Sequence, residues 1–433
     1  MNSASTIPRR FPAQFFDGVA AFADRWVDMM FNLELVFDDR LDDQRVARAV
    51  DLSLDAEPIL GCRFVPHWWK PYWERVDRTE FRSFQLATNE NEYLEFRVKS
   101  VDAYSGPQLK ACLWQASDGD HLILKVSHIV CDAGGAKDVA RTVSSIYSSL
   151  AGEPDYIPQP NVKGSRGIKQ VMRNVPRRRY PHLWLNYHRM NRAGKIHPGT
   201  HILPFQDGPR DPLTFVVRHL PKDHVAELAE YGRRCDGTLN DIMLAAFFRA
   251  LALVGEWDGK KQLRVSTTVD LRRHIPNGQA EAVTFLSSAY NGWPNLGTDL
   301  GHDYASTLNK VVAITKKAKA DFLGLDLLLL AWLFIRPPYA RVNWLLEYDD
   351  KQRAKKGNTA NALTNMGPID PVSVTFGVVP VSAWMLVPPA YFPYFAMGMS
   401  GYEGTLTLSA GVYPPNVEIT EQFFDAMIAE LPV

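Results

Sequence analysis

The stretch at residues 122–135, LILKVSHIVCDAGG, constrains the fold more than any other part of the chain. Its apolar residues alternate as far as His128, at the period of two that is typical of a strand. Gly134 and Gly135 then allow the backbone to turn, and the apolar residues from 139 to 150 recur at helical spacing. Gly152 lies where such a helix would end. The pattern predicts an apolar strand that presents an imidazole at its end, followed by a short loop and a helix.

His128 and Asp132, four residues apart, are the candidate chemical groups of this loop. Histidine suits proton transfer near neutral pH because its unperturbed pKa is about 6.5. The alternative is a histidine that is packed and hydrogen-bonded in the core without taking part in chemistry. Cys131, between the two, could in principle serve as a nucleophile, but no other motif in the sequence supports a cysteine enzyme.

The length of the chain, 433 residues, exceeds that of one ordinary core and predicts two domains of roughly 200 residues each. With 46% apolar and 22% charged residues, the composition is that of a soluble globular protein. The 48 basic and 48 acidic residues balance, so nothing in the overall charge favours a nucleic acid or an anionic membrane as a partner.

The four cysteines are scattered, without the paired spacing of a zinc site, so we expect reduced thiols and no metal. The first thirty residues are interrupted by charged side chains and contain no signal-peptide core, which predicts a cytoplasmic protein. The longest apolar run, residues 322–335, would extend about 21 Å as a helix, short of the ~30 Å hydrocarbon layer of a membrane. We interpret this run as a core helix, because it is apolar on all sides.

The order of the predicted elements divides the chain into three parts. Residues 1–160 form an N-terminal α/β domain, with predicted strands at 32–37, 93–98 and 109–115 and a helix at 44–54 besides the central strand. Residues 161–206 form a basic inter-domain linker. Residues 207–433 form the C-terminal domain, with predicted strands at 215–220, 263–269, 372–381 and 404–412 and helices at 221–232 and from 238 to about 254.

The linker has an unusual charge pattern. Residues 156–206 contain no Asp or Glu, whereas residues 163–195 carry ten Lys and Arg, three of them consecutive at Arg177, Arg178 and Arg179. One interpretation is a solvated connection between domains, and the other is a surface for anionic partners.

Four stretches of the chain match a known family in the same order. They are the strand–helix–PILGCRF passage at 41–64, the HxxxD loop at 122–135, the TLND helix with the strand that ends in DLR at 238–272, and YEGTLTL at 402–408. Together they resemble the chloramphenicol-acetyltransferase-like acyltransferase superfamily, which includes nonribosomal-peptide condensation domains, wax ester synthases and polyketide-associated acyltransferases.

The chain also departs from the family pattern. Ser127 occupies the position where the family often has a second histidine, and Asp132 is followed by Ala133 where many members have glycine. The C-terminal DFGWG of the plant branch is absent, and TNMGP at 364–368 resembles the asparagine–glycine turn of the wax ester synthase branch. These departures leave the substrate open.

The resemblance implies an α/β (α+β) fold of two chloramphenicol-acetyltransferase-like subdomains with a tunnel between them. It implies that His128 is the catalytic general base, and that Asp132 is structural and forms a salt bridge with Arg272, beside Gly134. Weaker candidates for the oxyanion and tunnel are Thr364, Asn365 and Ser400. In such a fold the apolar run at 322–335 would be either a plain core helix or a wall of the acyl-chain tunnel, which would favour medium or long acyl donors.

The activity implied is that of an HxxxD acyltransferase or condensation enzyme, which moves an acyl group from a thioester to an alcohol or amine. Coenzyme A or a phosphopantetheine thioester would be a co-substrate, and no cofactor would be tightly bound. The basic patch favours an acyl or peptidyl carrier protein that docks at Arg177, Arg178 and Arg179, with coenzyme A or peripheral membrane contact as alternatives. Another reading remains open, in which a condensation-like protein binds without acyl transfer or catalyses a different step such as cyclisation.

Overall fold

The structure is a computed structural model that describes residues 7–193, 199–290, 293–320, 324–325, 328, 337–359 and 361–432. Most of the apolar run at 322–335 therefore lies outside the described residues. Of its described members, Leu325 and Leu328 are buried.

The N-terminal half contains these elements: strand β1 (Arg10–Pro12), helix α1 (Phe15–Ala23), strand β2 (Met30–Phe37), helix α2 (Asp43–Ala56), strands β3 (Cys62–Val65), β4 (Tyr72–Arg75) and β5 (Phe84–Ala87), helix α3 (Glu90–Val98), strands β6 (Leu109–Ala116) and β7 (Gly119–Ser127), and helix α4 (Ala133–Gly152). Two short helices follow: α5 (Lys169–Met172) and α6 (Tyr180–Ala193).

The C-terminal half contains these elements: strand β8 (Thr214–Leu220), helices α7 (Lys222–Arg234) and α8 (Leu239–Val254), strands β9 (Leu263–Asp270), β10 (Ser287–Tyr290) and β11 (Asn295–Gly297), helices α9 (Tyr304–Ala320) and α10 (Tyr339–Lys355), strands β12 (Asn361–Ile369), β13 (Ser382–Leu386), β14 (Ala396–Tyr402) and β15 (Thr405–Val412), and helix α11 (Val417–Ala429).

Two large sheets, named here by their position in the chain, organise the molecule. In the described residues the N-terminal sheet has the order β13–β2–β7–β6–β5, and the C-terminal sheet has the order β10–β9–β12–β14–β15–β8 with β11 beside β9. Helices α2 and α4 cover one face of the N-terminal sheet, and α8, α9 and α11 cover one face of the C-terminal sheet. Each sheet therefore has its own apolar core.

Strand β13 joins the two halves of the molecule. It comes from the C-terminal half but pairs antiparallel with β2. On its other side, the backbone N–H groups of Met385 and Val387 donate to the hydroxyls of Ser400 and Ser409 in the C-terminal sheet, at 3.0 and 3.2 Å. The division into residues 1–160, 161–206 and 207–433 stays a prediction, and β13 crosses it.

Two of the predicted strands are wrong. Residues 93–98 belong to helix α3, which begins where the Asn89 side chain accepts a hydrogen bond from the Glu92 backbone N–H. Residues 372–381 form a 3₁₀ turn (Pro371–Val374) and an irregular segment before β13. Gly377, whose φ is +78°, and Pro380 interrupt that apolar run, and proline cannot donate a hydrogen bond to a neighbouring strand.

No single helix of the described chain is long and apolar enough to cross a membrane. The bent pair Lys222–Arg234 and Leu239–Val254 passes that test jointly, by length and composition only.

Candidate active site

His128 follows directly after β7, the middle strand of the N-terminal sheet. Its backbone N–H donates to the carbonyl of Met29 at 2.8 Å, which continues the pairing of β7 with β2. The sheet therefore fixes the backbone of the loop, and the partly exposed imidazole projects from a rigid strand end.

The imidazole has a defined tautomer. Nδ1 lies 2.8 Å from the carbonyl oxygen of Cys131. A carbonyl only accepts hydrogen bonds, so Nδ1 must carry the proton, and Nε2 keeps a free lone pair. Burial lowers the pKa of His128, and the Cys131 hydrogen bond and the Asp132 charge oppose this only in part. The side chain is therefore neutral at physiological pH, as a general base requires.

Two aromatic rings contact the imidazole. The ring of Phe31 lies 4.4 Å from it between centroids at an interplanar angle of 60°, and the ring of Phe285 lies 5.0 Å away and nearly parallel, at 10°. The first ring comes from β2 and the second from the C-terminal half, so both halves of the molecule build the environment of His128.

Asp132 caps the first turn of α4 and is tied to the C-terminal half. Its carboxylate accepts from the Gly135 backbone N–H at 2.9 Å and pairs with the Arg272 guanidinium at 2.9 Å. It also accepts from the Leu286 backbone N–H at 2.9 Å and from the Ser287 hydroxyl at 2.6 Å. Burial alone would raise the pKa of Asp132, but Arg272 and these hydrogen bonds outweigh it and lower that pKa, so the carboxylate stays charged.

Gly134 and Gly135 allow the close approach of these partners. A Cβ atom at Gly134 would lie 2.5 Å from Nη1 of Arg272, and one at Gly135 would lie 2.7 Å from the carbonyl oxygen of Thr284. The structure thus brings together His128, Asp132, Arg272 and Gly134, as the resemblance implied. The roles of these residues stay predictions.

A second polar network holds the same loop and was missed by the sequence analysis. Arg166 donates to both carboxylate oxygens of Asp17, at 2.9 and 3.0 Å, and to the carbonyls of Val130 and Val283, both at 2.8 Å. Trp73 also donates to Asp17, at 2.7 Å. The only signal in the sequence was the basic character of residues 163–195, which indicated solvent-exposed side chains rather than a buried hydrogen-bond network.

The structure does not bring the three oxyanion candidates into contact with His128. Thr364 bonds to Thr268 at 2.6 Å, the Asn365 amide donates to Asn240 at 3.3 Å, and the Ser400 hydroxyl is engaged by β13. Among the described residues, no hydrogen bond, ion pair or ring contact joins any of the three to His128. The turn at 365–367 is nevertheless tied to helix α4, because Lys137 donates to the carbonyls of Met366 and Pro368 at 2.9 and 3.0 Å.

Other predicted groups lie outside this site. Arg177, Arg178 and Arg179 form an exposed 3₁₀ turn at the start of α6. Cys131 is buried, which raises the pKa of its thiol and disfavours a thiolate nucleophile. No group of His, Cys, Asp and Glu suited to a metal ion occurs within the described ranges.

Comparison with curated proteins finds nonribosomal peptide synthetases. The chain is 23% identical to bacitracin synthase 3 of Bacillus licheniformis over 239 residues, which is 53% of this chain and 3% of that protein. It is 38% identical to surfactin synthase subunit 1 of Bacillus subtilis (strain 168) over 61 residues, or 14% of this chain and 2% of that protein. The chain therefore matches only a small part of the length of these relatives. No family model matches it.

Comparison with solved structures covers nearly the whole chain. The first condensation domain of the CDA synthetase matches with a TM-score of 0.68 at 15% identity, over 98% of this chain and 97% of that one. The epimerization domain from the third module of tyrocidine synthetase B matches with a TM-score of 0.63 at 14% identity, over 95% and 92%. Polyketide synthase associated protein 5 from Mycobacterium tuberculosis matches with a TM-score of 0.59 at 15% identity, over 96% of both chains.

At these identities the likeness shows the fold, and it confirms the fold predicted from the HxxxD loop and its three companion motifs. The chain has the fold of a condensation domain, built from two chloramphenicol-acetyltransferase-like subdomains.

Proposed function

We propose that the chain is a condensation-type acyltransferase, which moves an acyl group from a pantetheine thioester to an alcohol or amine. The observation that carries the proposal is the fixed tautomer of His128, whose Nδ1 proton is held by the Cys131 carbonyl while Nε2 stays free to accept a proton. The condensation-domain fold and the partial matches to nonribosomal peptide synthetases support it.

In the proposed reaction His128 acts first as a base and then as an acid. Nε2 removes the proton of the acceptor O–H or N–H while the acceptor atom attacks the thioester carbonyl. The tetrahedral oxyanion collapses, the carbon–sulfur bond breaks, and the imidazolium returns its proton to the leaving thiolate. No covalent enzyme intermediate is needed because a thioester is already an activated acyl donor.

We keep Thr364 and Asn365 as candidate oxyanion donors, because the turn that carries Asn365 is anchored to the helix that begins at Asp132. Ser400 is a weaker candidate because its hydroxyl already accepts from β13. An oxyanion needs donors at about 2.7–3.1 Å from the developing charge, which substrate binding would have to bring about.

Thiol release from acetyl and dodecanoyl pantetheine thioesters tests the proposal, with a panel of primary amines and alcohols as acceptors. His128→Ala should lose about 10²–10⁴-fold in kcat and remain folded, because that is the typical contribution of a general base. His121→Ala is the control, since His121 lies in the same strand but packs on Trp114. Full turnover by His128→Ala would make the assignment wrong.

The pH dependence of kcat/KM tests the role of His128 independently. Because burial lowers the pKa of His128, the wild-type kcat/KM should persist below pH 6.5 and decline only at more acidic pH.

A second candidate is a condensation-like protein that binds its ligand without acyl transfer or catalyses cyclisation. Two observations favour it. Ser127 is buried, its hydroxyl accepting from the Ile129 backbone N–H, at the position where the family often has a second histidine. The fold is also similar to that of an epimerization domain. Such a protein would show a thermal shift with its ligand but no thiol release.

A further inference from the structure

We propose that Phe285 is a positioning residue for His128, and that Asp132 acts on the imidazole through Phe285. The carboxylate fixes the segment 283–287, the segment places the phenyl ring against the imidazole, and the phenyl ring sets the plane in which Nε2 faces the substrate. The role of Phe285 in catalysis rests on the proposed function, whereas its effect on the orientation of the imidazole does not.

One hydrogen bond does not by itself fix an imidazole. The Nδ1–H bond to the Cys131 carbonyl leaves the ring free to tilt about that contact. The Phe285 ring lies against the flat face of the imidazole at 10°, and Phe31 contacts it at 60°. Offset stacking of this kind favours one orientation of the imidazole ring over others.

Asp132 has no direct hydrogen bond or ion pair with His128 among the described residues. Its Oδ2 instead accepts from the Leu286 backbone N–H and the Ser287 hydroxyl, the two residues that follow Phe285. On the preceding side, the carbonyl of Thr284 accepts from Arg272 at 3.0 Å. The Asp132–Arg272 ion pair is therefore hydrogen-bonded to the chain on both sides of Phe285.

Phe285 has a second aromatic partner. Phe16 stacks on it with centroids 5.4 Å apart and an interplanar angle of 20°. Val283 is held from two directions, because its N–H donates to Glu57 at 3.2 Å and its carbonyl accepts from Arg166 at 2.8 Å. The phenyl ring therefore stacks on both Phe16 and the imidazole, and the backbone is hydrogen-bonded on both sides of Phe285.

The charged groups near the loop are paired with one another. Asp132 at the start of α4 pairs with Arg272 after β9, and Arg166 before α5 pairs with Asp17 in α1. Arg272 also lies 3.2 Å from Asp270 and 3.8 Å from Asp138, and Glu57 accepts from the backbone of Val283. Of these, the Asp132 charge raises the pKa of His128, while burial lowers it by more. Because Phe285 covers one face of the ring, its removal should admit water and shift that pKa upward.

The test uses nitrogen chemical shifts of ¹⁵N-labelled histidine in the free protein, with the His128 signals assigned by their loss in His128→Gln. Wild type should show a protonated Nδ1 and an unprotonated Nε2. In Phe285→Ala we expect a mixture of tautomers and a higher His128 pKa. In Phe285→Leu, which keeps apolar bulk without a flat face, we expect the mixture with little change in pKa.

Phe376→Ala is the control, since Phe376 is a core phenylalanine that packs on Phe37 and Tyr147. It should lower the melting temperature without changing the His128 signals. An unchanged Nδ1–H tautomer in Phe285→Leu, or in a folded Phe285→Ala, would overturn the proposal and leave Phe285 as ordinary core packing.

A double-mutant cycle tests the link to Asp132. Asp132→Asn and Phe285→Leu should each produce a mixture of His128 tautomers. The minor tautomer should be no more populated in the double variant than in the more affected single variant. Additive effects would overturn the claim that Asp132 acts through Phe285. These readings need no substrate, so their failure is distinct from a failure of acyl transfer in the thiol-release assay.

Discussion

Gly134 shows most directly how a single residue limits the site. The Arg272 guanidinium lies over the first turn of α4, where any side chain at position 134 would meet it. Elsewhere in a helix, glycine costs about 0.5–1 kcal/mol relative to alanine. At position 134 glycine is needed in spite of that cost. The side chains of the Asp132–Arg272 ion pair are only 3–7% exposed, and they leave no room for a methyl group there.

Gly134→Ala should therefore destabilise the protein by about 1–3 kcal/mol, the usual cost of overpacking, in spite of the better helix propensity of alanine. Gly152→Ala is the matched control in the same helix, because a Cβ there meets nothing within 4 Å. It should be neutral or stabilising by up to about 1 kcal/mol. Urea denaturation measures both, and equal effects of the two substitutions would contradict this reading of Arg272.

Asp132→Asn should lower both stability and activity. Removal of one partner of a buried ion pair costs about 3–5 kcal/mol, because the Arg272 charge is left without its main partner. The folded-state pKa of Asp132 is lowered, so its contribution to stability is present above the unfolded-state pKa and is lost as pH falls through the folded-state value. The gap in unfolding free energy between wild type and variant should thus be full at pH 7 and narrow in acid. Lost activity with unchanged stability would instead make Asp132 a chemical participant.

At the scale of elements, the active-site loop is held by parts of the chain that are far apart in sequence. Helix α1 supplies Asp17, the basic segment at residues 163–195 supplies Arg166, and the segment 283–287 supplies Phe285 and two of the partners of Asp132. Arg166 links two of these parts, since its guanidinium donates to Asp17 in α1 and to the carbonyl of Val283.

Arg166→Leu should cost about 3–5 kcal/mol, because Asp17 would remain buried without its charged partner. Arg173→Leu is the control from the same basic segment. Arg173 is exposed and pairs with Glu281, so its loss should change stability by no more than about 1 kcal/mol. Thermal denaturation compares the stability of the two variants. A loss of stability in Arg166→Leu as small as that in Arg173→Leu would mean that Arg166 contributes no more than a surface arginine.

Strong periodicity and sharp boundaries made some elements predictable from sequence. The central strand, the body of α4 and α8 with its TLND start all carried such signals. The start of α4 was placed too late, because Gly134 and Gly135 were expected in a turn but lie in the first turn of the helix. Helix α3 and residues 372–381 were misassigned because short apolar runs do not separate strand from helix or from turn. Phe285 and Arg166 could not be identified because their role comes from tertiary contacts, which leave no local pattern.

At the scale of the whole molecule, the basic segment has two different environments. Arg166 is hydrogen-bonded to Asp17 beside the site, whereas Arg177, Arg178 and Arg179 are exposed at the start of α6, a helix that also contains the exposed Leu185. We expect this exposed basic surface to suit an acidic protein partner, whose approach would be steered over a Debye length of about 8 Å at physiological salt.

Replacement of Arg177, Arg178 and Arg179 by alanine should strongly weaken the use of a donor bound to a carrier protein and barely affect a small pantetheine thioester. The values of kcat/KM for the two donors, measured side by side, give the comparison. Equal losses of kcat/KM with both donors would mean that the arginines support the fold. No loss with either donor would mean that they belong to a solvated surface without a partner.

Strand β13 has a consequence for how the chain is made. During translation, β2 emerges early, but the strand that covers its edge follows only at residues 382–386. At about 5–20 residues per second, that edge stays open for tens of seconds on the ribosome. An open edge is a template for pairing with other chains, so a polypeptide that stops before residue 382 should aggregate. The two halves are therefore best produced as one continuous polypeptide.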